Sequence, residues 1–182
     1  RKEEMINRML LDWLEFINQS DVPFLIKAIV GHYFFENIHP FYDGNGRVGR
    51  FILAKYLSRR LDKFSGLILS QEVNKYKSKY YNSFAILGNS LNRADATTFV
   101  RDILELIHEG QKLIIEVLLE RKGLLDSAYQ SLKDALEWTE ADKFILYLFV
   151  QSKLFVDHNL DGLKDNDIKE LAKNTPHSWR DR

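Results

Sequence analysis

Two strongly apolar runs, Pro23 to Ile38 and Val48 to Leu61, each have the length and composition of a buried helix. The segment between them, with the first turn of the second helix, is HPFYDGNGRVGR, from His39 to Arg50. The chain must therefore bring a histidine, an aspartate, an amide and two arginines into one tight turn. Because the first turn of a helix has unpaired N–H groups and a partial positive charge, this segment predicts an anion site.

The glycines and arginines of this segment suit the phosphates of a nucleotide. Gly44 and Gly46 lack a Cβ atom and can adopt positive φ, so that successive N–H groups can surround phosphate oxygens. Asn45 adds a neutral donor. Arg47 and Arg50 are three residues apart and share one helix face, where each planar guanidinium can bind phosphate through two hydrogen bonds. We expect these five residues to bind nucleotide phosphates.

Two further side chains supply reactive chemistry. Asp43 is the only carboxylate of the loop, and a carboxylate beside phosphates usually holds Mg²⁺. His39 is the side chain that can take a proton from an attacking hydroxyl near neutral pH. The pattern therefore predicts a Mg²⁺ ligand at Asp43 and a general base at His39.

The same twelve residues resemble the signature of the Fic family, H-x-F-x-[D/E]-G-N-G-R-x-x-R, at every specified position. With each specified residue at roughly 5% frequency, such a match arises by chance on the order of once in 10^10 windows. The resemblance implies an all-α, Fic-type helical bundle that transfers AMP from ATP to a Ser, Thr or Tyr hydroxyl of a target protein. It makes His39 the general base, puts Mg²⁺ on Asp43, and puts Arg47 and Arg50 on the distal phosphates.

The resemblance leaves several activities open. In the Doc-like branch, which phosphorylates, a lysine replaces the second glycine; Gly46 therefore favours nucleotidyl transfer. The motif is expected to contact only the phosphates and therefore does not determine the base. Transfer of UMP or GMP, or removal of AMP at the same site, are alternatives. An inactive nucleotide-binding regulator and a DNA-binding protein are further alternatives.

Downstream of the motif, Ser70 to Leu87 predicts a helix, after a loop with a short extended piece from Phe64 to Ser70. The run KSKYY resembles the Fic helix whose tyrosines lie near the adenine, so Tyr80 or Tyr81 is a candidate for contact with the base, with simple packing as the alternative. His32 lies on the aromatic stripe before the motif. We expect it to be a hydrogen-bonded core histidine.

The resemblance divides the chain into a catalytic core, residues 1–122, and a C-terminal helical segment, residues 123–182. A long helix is expected from Asp95 or Thr97 to Leu119, followed by helices from Leu124 to Leu136 and from Asp142 to Val156. Thr139 and Asp142 form a capping arrangement at the start of the last of these.

The end of the chain suggests a further module. Ile168 to Ala172 resembles the first helix of a helix-turn-helix, and several Fic proteins carry a winged-helix domain after the catalytic one. The second helix of this module would be cut at Arg182. DNA binding is therefore a secondary hypothesis, and a dimerisation or interdomain element is favoured over it.

Composition and the ends of the chain bound the remaining expectations. Basic and acidic residues balance at 26 each, and there is no cysteine. No apolar run approaches the ~20 residues of a membrane span, so we expect a cytoplasmic protein without a membrane partner. The resemblance implies a target-docking flap upstream of Arg1. The inhibitory string [S/T]-x-x-x-E-[G/N] is not found in the sequence; the inhibitory helix is expected upstream, in another protein, or not at all.

Overall fold

The computed structural model describes residues 3–18, 21–155, 164, 166 and 168–170. In this part of the chain the elements are helical and there is no strand, which confirms the predicted all-α class. Seven α-helices and one 3-10 helix (Ser90–Asn92) follow one another: α1 Glu3–Asn18, α2 Phe24–Ile38, α3 Asn45–Arg60, α4 Lys63–Lys75, α5 Lys77–Leu87, α6 Thr97–Asp134 and α7 Glu140–Phe155.

The first compact unit, which extends to Ile114, contains the loop between α2 and α3. Helix α1 packs on α2, α2 on α3, and α3 on α4. The Trp13 indole N–H donates to the Gly31 carbonyl at 2.8 Å and joins α1 to α2. The buried core of this unit is aliphatic and aromatic, as the apolar stripes predict: Ala28, Ile29, Leu53, Leu57, Leu69, Val73, Tyr80, Leu87, Phe99, Ile103, Leu106 and Ile107.

The segment from Phe64 to Ser70 is helical, so the predicted loop was wrong. The Asp62 side chain caps α4 by accepting from the N–H groups of Phe64 and Ser65, each at 2.9 Å. Gly66 lies inside this helix. A Cβ there would lie 2.4 Å from the Ala54 carbonyl oxygen, so this glycine allows close packing of α4 on α3.

Helix α6 is a second difference from the sequence-based expectation. It continues through residues 120–124, where a break between two helices was predicted. Gly110 lies inside it, and a Cβ there would lie 2.6 Å from the Ile68 side chain, so this glycine admits close packing. The compact units divide within α6, between Ile114 and Ile115, and the domain boundary after residue 122 stays a prediction.

In the second unit, the start of α7 is as expected. The Asp142 N–H donates to Thr139 Oγ1 at 3.2 Å, and the Thr139 N–H donates to Asp142 Oδ2 at 3.1 Å. These reciprocal bonds form the predicted capping arrangement. Within the same unit, the rings of Tyr129 and Tyr147 meet edge to face at 6.1 Å.

The predicted helix-turn-helix falls mostly outside the described residues. Of Ile168–Ala172, only residues 168–170 are described, and they are helical; the segment from 171 to Arg182 is not described. DNA binding therefore stays a prediction. Within the described residues, no helix has both the length and the apolar character needed to cross a membrane, and a cytoplasmic location stays a prediction.

Candidate active site

The loop between α2 and α3 begins and ends on residues with left-handed backbone. His39 caps the C-terminus of α2 with φ 52° and ψ 58°, and its N–H donates to the Phe35 carbonyl at 3.1 Å. Gly44 caps the N-terminus of α3 with φ 81°. Glycine adopts this region freely, whereas an L-residue such as histidine is strained there by roughly 1–2 kcal/mol. The fold thus holds the histidine at the point where α2 stops.

A buried amide holds the loop closed. Asn45 is 2% exposed; its Oδ1 accepts from the Phe41 N–H at 2.9 Å, and its Nδ2 donates to the Phe41 carbonyl at 2.7 Å. The sequence suggested a neutral donor to phosphate at this residue. The structure commits its side chain to the loop instead, so any contact to phosphate from Asn45 would come from its backbone N–H.

The first turn of α3 presents backbone donors. The Val48 N–H bonds to the Gly44 carbonyl at 3.0 Å, which is the first bond of the helix. The N–H groups of residues 45, 46 and 47 come before it and have no acceptor within the helix. A Cβ at Gly46 would lie 3.1 Å from Arg50 Nη1, so glycine at this position leaves room for the arginine.

Both arginines line one cavity of about 600 Å³ on the first unit. Arg47 is exposed and Arg50 is half-buried. The cavity continues along α4 and α5, where Ser70, Asn74 and Tyr81 contribute to its wall. Two guanidiniums at one end and an aromatic ring in the wall are features that suit a nucleotide with several phosphates.

The Asp43 carboxylate lies beside Arg47 at the surface of the loop. Its side chain is 93% exposed; Oδ1 accepts from the Gly44 N–H at 2.6 Å, and Oδ2 lies 3.4 Å from Arg47 Nη2. Among the described residues, no group of three His, Cys, Asp or Glu side chains could hold a metal by itself. This donor set fits Mg²⁺, which commonly takes one carboxylate and completes its shell with phosphate oxygens and water.

His39 faces a different cavity, of about 750 Å³, whose wall includes Ile6 and Leu10 of α1 and Tyr42 of the loop. The imidazole is exposed, and its Nδ1 lies 3.3 Å from the Glu36 carbonyl oxygen. A carbonyl can only accept, so this bond requires a proton on Nδ1, and the neutral form of the ring then has its lone pair on Nε2. The His39 imidazole and the two guanidiniums therefore line two different cavities.

The two candidate tyrosines occupy different environments. Tyr81 is 55% exposed and lines the cavity with the arginines. Tyr80 is 2% exposed, and its hydroxyl lies 2.7 Å from Nε2 of His32. The expectation that His32 is a hydrogen-bonded core histidine is confirmed. The structure thus brings Tyr81, and not Tyr80, to the wall of the cavity.

One residue behind the loop was missed by the sequence analysis. Glu36 Oε1 is buried and has no hydrogen-bond partner among the described residues. Burial raises the pKa of Glu36, while the charges of Arg50 and His39 act in the opposite direction. A Cβ at Gly49 would lie 2.2 Å from Glu36 Oε1, so this glycine makes room for the carboxylate. One feature of the sequence could have revealed Glu36: it is an acidic residue within an aromatic helical stripe, three residues before His39.

Comparison with known proteins agrees with this geometry. The sequence model of the Fic/DOC family matches residues 1–57, which include the loop between α2 and α3. Residues 1–57 are thus similar to the Fic/DOC family. The resemblance to the Fic family is therefore confirmed for the part of the chain that contains His39 and both arginines.

Curated relatives give the same result. The chain is 48% identical over 50 residues to a probable protein adenylyltransferase of Aquifex aeolicus, a match that covers 28% of this chain and 15% of the relative. It is 32% identical over 94 residues to the protein adenylyltransferase Fic of Drosophila willistoni (52% and 17%). It is 32% identical over 92 residues to the protein adenylyltransferase fic-1 of Caenorhabditis elegans (50% and 16%). The matched segment is thus a small part of each relative.

Proposed function

We propose that this chain contains the active centre of a Mg²⁺-dependent protein adenylyltransferase. The observation that supports it is that the exposed imidazole of His39 lines one cavity, while two guanidiniums of α3, Arg47 and Arg50, line another. The Fic/DOC match and the names of the relatives support the same activity.

In the proposed mechanism, ATP lies in the cavity of the arginines. The backbone N–H groups at Gly44, Asn45 and Gly46 and the guanidiniums of Arg47 and Arg50 bind the phosphates, while Tyr81 contacts the base. Asp43 would hold Mg²⁺, whose positive charge would offset the negative charge that develops on the departing pyrophosphate. Most of the catalytic effect comes from positioning and charge neutralisation.

His39 supplies the proton transfer. Its Nε2 takes the proton of a Ser, Thr or Tyr hydroxyl, whose oxygen attacks the α-phosphorus in line. A new P–O bond forms between target and AMP as the bond to the β-phosphate oxygen breaks, and pyrophosphate leaves with that electron pair. The acceptor would approach through the cavity on the His39 side. The base preference, the reverse removal of AMP, and an inhibitory helix upstream or in another protein are secondary proposals.

The test uses the chain with Mg²⁺, each of ATP, GTP, UTP and CTP, and a pool of peptides containing Ser, Thr and Tyr. Intact mass should show the gain of one nucleoside monophosphate on the chain or on a peptide. His39→Ala should lower the rate by ~10²–10⁴ while nucleotide affinity changes little. The matched control is His108→Ala, which removes an exposed histidine on α6 and should leave the rate unchanged.

Two outcomes would count against the proposal. If the chain binds ATP but no mass gain appears with any nucleotide, this chain is not a transferase by itself. If His39→Ala loses ATP affinity as strongly as it loses rate, His39 is a structural or binding residue and the general base must be sought elsewhere.

A further inference from the structure

The cavity of the two arginines has an excess of positive charge. The described residues that line it include three cations, Arg47, Arg50 and Lys77, and no acidic residue. Basic and acidic residues balance over the whole chain at 26 each, so this local excess does not follow from composition. Like charges that line one cavity favour the binding of an anion with several charges. Two of the three cations are assigned to phosphates in the proposed function, and Lys77 has no role there.

The walls of this cavity come from two parts of the first unit. On α3 the lining residues recur at steps of three and four and share one helix face: Arg47, Arg50, Phe51 and Ala54. On the other wall, Lys77 is the first residue of α5 and Tyr81 follows it by four residues, so both lie on one face of that helix. Lys77 is thus one helical turn from the residue that is proposed to contact the base.

The lysines on either side of Lys77 are held elsewhere. Lys75 Nζ lies 3.9 Å from the buried carboxylate of Glu72, and Lys79 Nζ forms an ion pair with Glu105 of α6. The described lining of the arginine cavity includes neither of these two lysines. Among the described residues, no acidic side chain forms an ion pair with Lys77, which is exposed. The charge of Lys77 is therefore available to a ligand in the cavity.

The charge of a nucleoside triphosphate is balanced when Lys77 is included. ATP carries about four negative charges near neutral pH. In the proposed function, Asp43 with its Mg²⁺ would offset one of them, and Arg47 and Arg50 would offset two more. One negative charge remains, and the Lys77 ammonium matches it. Such a match has a larger effect in a cavity partly shielded from water than at an open surface.

We propose that Lys77 is a third phosphate-binding cation of the nucleotide site, which reaches the phosphates from α5 while the arginines reach them from α3. A lysine ammonium is a point charge on a flexible stem and can follow a phosphate without a fixed geometry. The assignment of ATP as the ligand rests on the proposed function. The assignment of Lys77 to an anion site in this cavity does not.

The first experiment compares the binding of ATP with that of adenosine, which has the same base and no phosphate. Lys77→Ala should weaken ATP binding about tenfold and leave adenosine binding within about twofold. Lys77→Arg keeps the positive charge and should bind ATP within about threefold of the wild type. The matched control is Lys79→Ala, which removes a lysine two residues away whose charge is paired with Glu105. This variant should leave ATP affinity unchanged.

Two outcomes of this comparison would overturn the proposal. If Lys77→Ala weakens adenosine binding as strongly as ATP binding, the lysine supports the shape of the cavity and does not contact phosphate. If Lys77→Ala and Lys79→Ala weaken ATP binding equally, the effect belongs to the general charge of the surface and not to a site at Lys77.

A second measurement uses inorganic tripolyphosphate, which tests the anion site without a base. Its binding should also weaken about tenfold in Lys77→Ala, and the loss should become smaller at high ionic strength because salt screens exposed charges. Binding of tripolyphosphate through Lys77 without any nucleotide transfer would contradict the proposed function and leave the anion site established. Transfer of AMP by a Lys77→Ala variant with unchanged ATP affinity would support the proposed function and overturn the role of Lys77.

Discussion

The exposed and the buried side chains around the loop between α2 and α3 are held in different ways. The exposed side chains are His39, Asp43 and Arg47, and their contacts are single hydrogen bonds or a surface ion pair. Asn45 and Tyr80 are nearly inaccessible to solvent and are hydrogen-bonded to protein. The exposed side chains are accessible to a ligand, and the buried ones are fixed by the fold. Changes at the buried side chains should therefore affect stability most.

The largest expected effect on stability comes from pH, through His32. Its pKa is lowered to about 4 by burial and by Arg50, whereas a histidine in the unfolded chain has a pKa near ~6.5. Between these values the unfolded chain binds more protons, so stability falls as pH drops from about 6.5 towards 4. Over this pH range the free energy of unfolding should fall by about 3 kcal/mol. Denaturant unfolding at several pH values measures it.

The control for this pH effect is His32→Asn, which should remove that part of the pH dependence while groups facing the site, such as Glu36, remain. An NMR titration of the wild type provides a second measurement, in which the His32 ring should not titrate above pH ~5. An equal pH slope in His32→Asn would refute the assignment.

The second largest effect on stability should come from overpacking between α2 and α3. In Gly49→Ala the new Cβ would lie 2.2 Å from Glu36 Oε1 and 3.2 Å from His32 Cε1, and we expect a loss of about 2 kcal/mol. Gly123→Ala is the matched control, because a Cβ there meets nothing within 4 Å and the site is helical. That change should stabilise by roughly 0.5–1 kcal/mol. Thermal unfolding of both variants measures the difference. Equal changes in stability in the two variants would contradict the packing argument.

A smaller effect concerns the strain at His39. Because its φ is 52°, His39→Gly should be more stable than His39→Ala by about 1 kcal/mol, although both lack the imidazole. Chemical denaturation of the two variants measures the difference. A higher stability for the alanine variant would mean that the backbone of residue 39 is not left-handed in solution.

The smallest effect should be at the surface pair. Arg47→Ala removes an exposed ion pair of 3.4 Å, so the free energy of unfolding should change by less than about 0.5 kcal/mol. ATP affinity should nevertheless fall, because Arg47 is proposed to bind the phosphates. A large loss of stability in this variant would place Arg47 among the residues that hold the loop together.

The same contrast explains what could be predicted from the sequence. Helix α2, its end at His39 and the left-handed turn at Gly44 follow from apolar patterning and from glycine chemistry. The burial of His32 was also predicted from its aromatic stripe. The role of Asn45 could not be, because an amide in a loop can serve a ligand or the backbone equally well, and only the fold shows that Phe41 is its partner.

A glycine explains the error in α4. Gly66 looks like a break, since glycine costs about 1 kcal/mol in a helix. It instead allows close packing of α4 on α3, and this packing offsets the local cost. Such contacts join residues far apart in the chain, so local sequence patterns do not reveal them.

The amide of Asn45 has a consequence for how the site can change during evolution. It binds the peptide group of Phe41 rather than a side chain, so the closed shape of the loop does not depend on what the neighbouring positions carry. Tyr42 shows this freedom, because its side chain is fully exposed on the His39 side of the loop. In the proposed transferase, residue 42 is therefore a position where the preference for the acceptor could be changed while Asn45 keeps the loop closed.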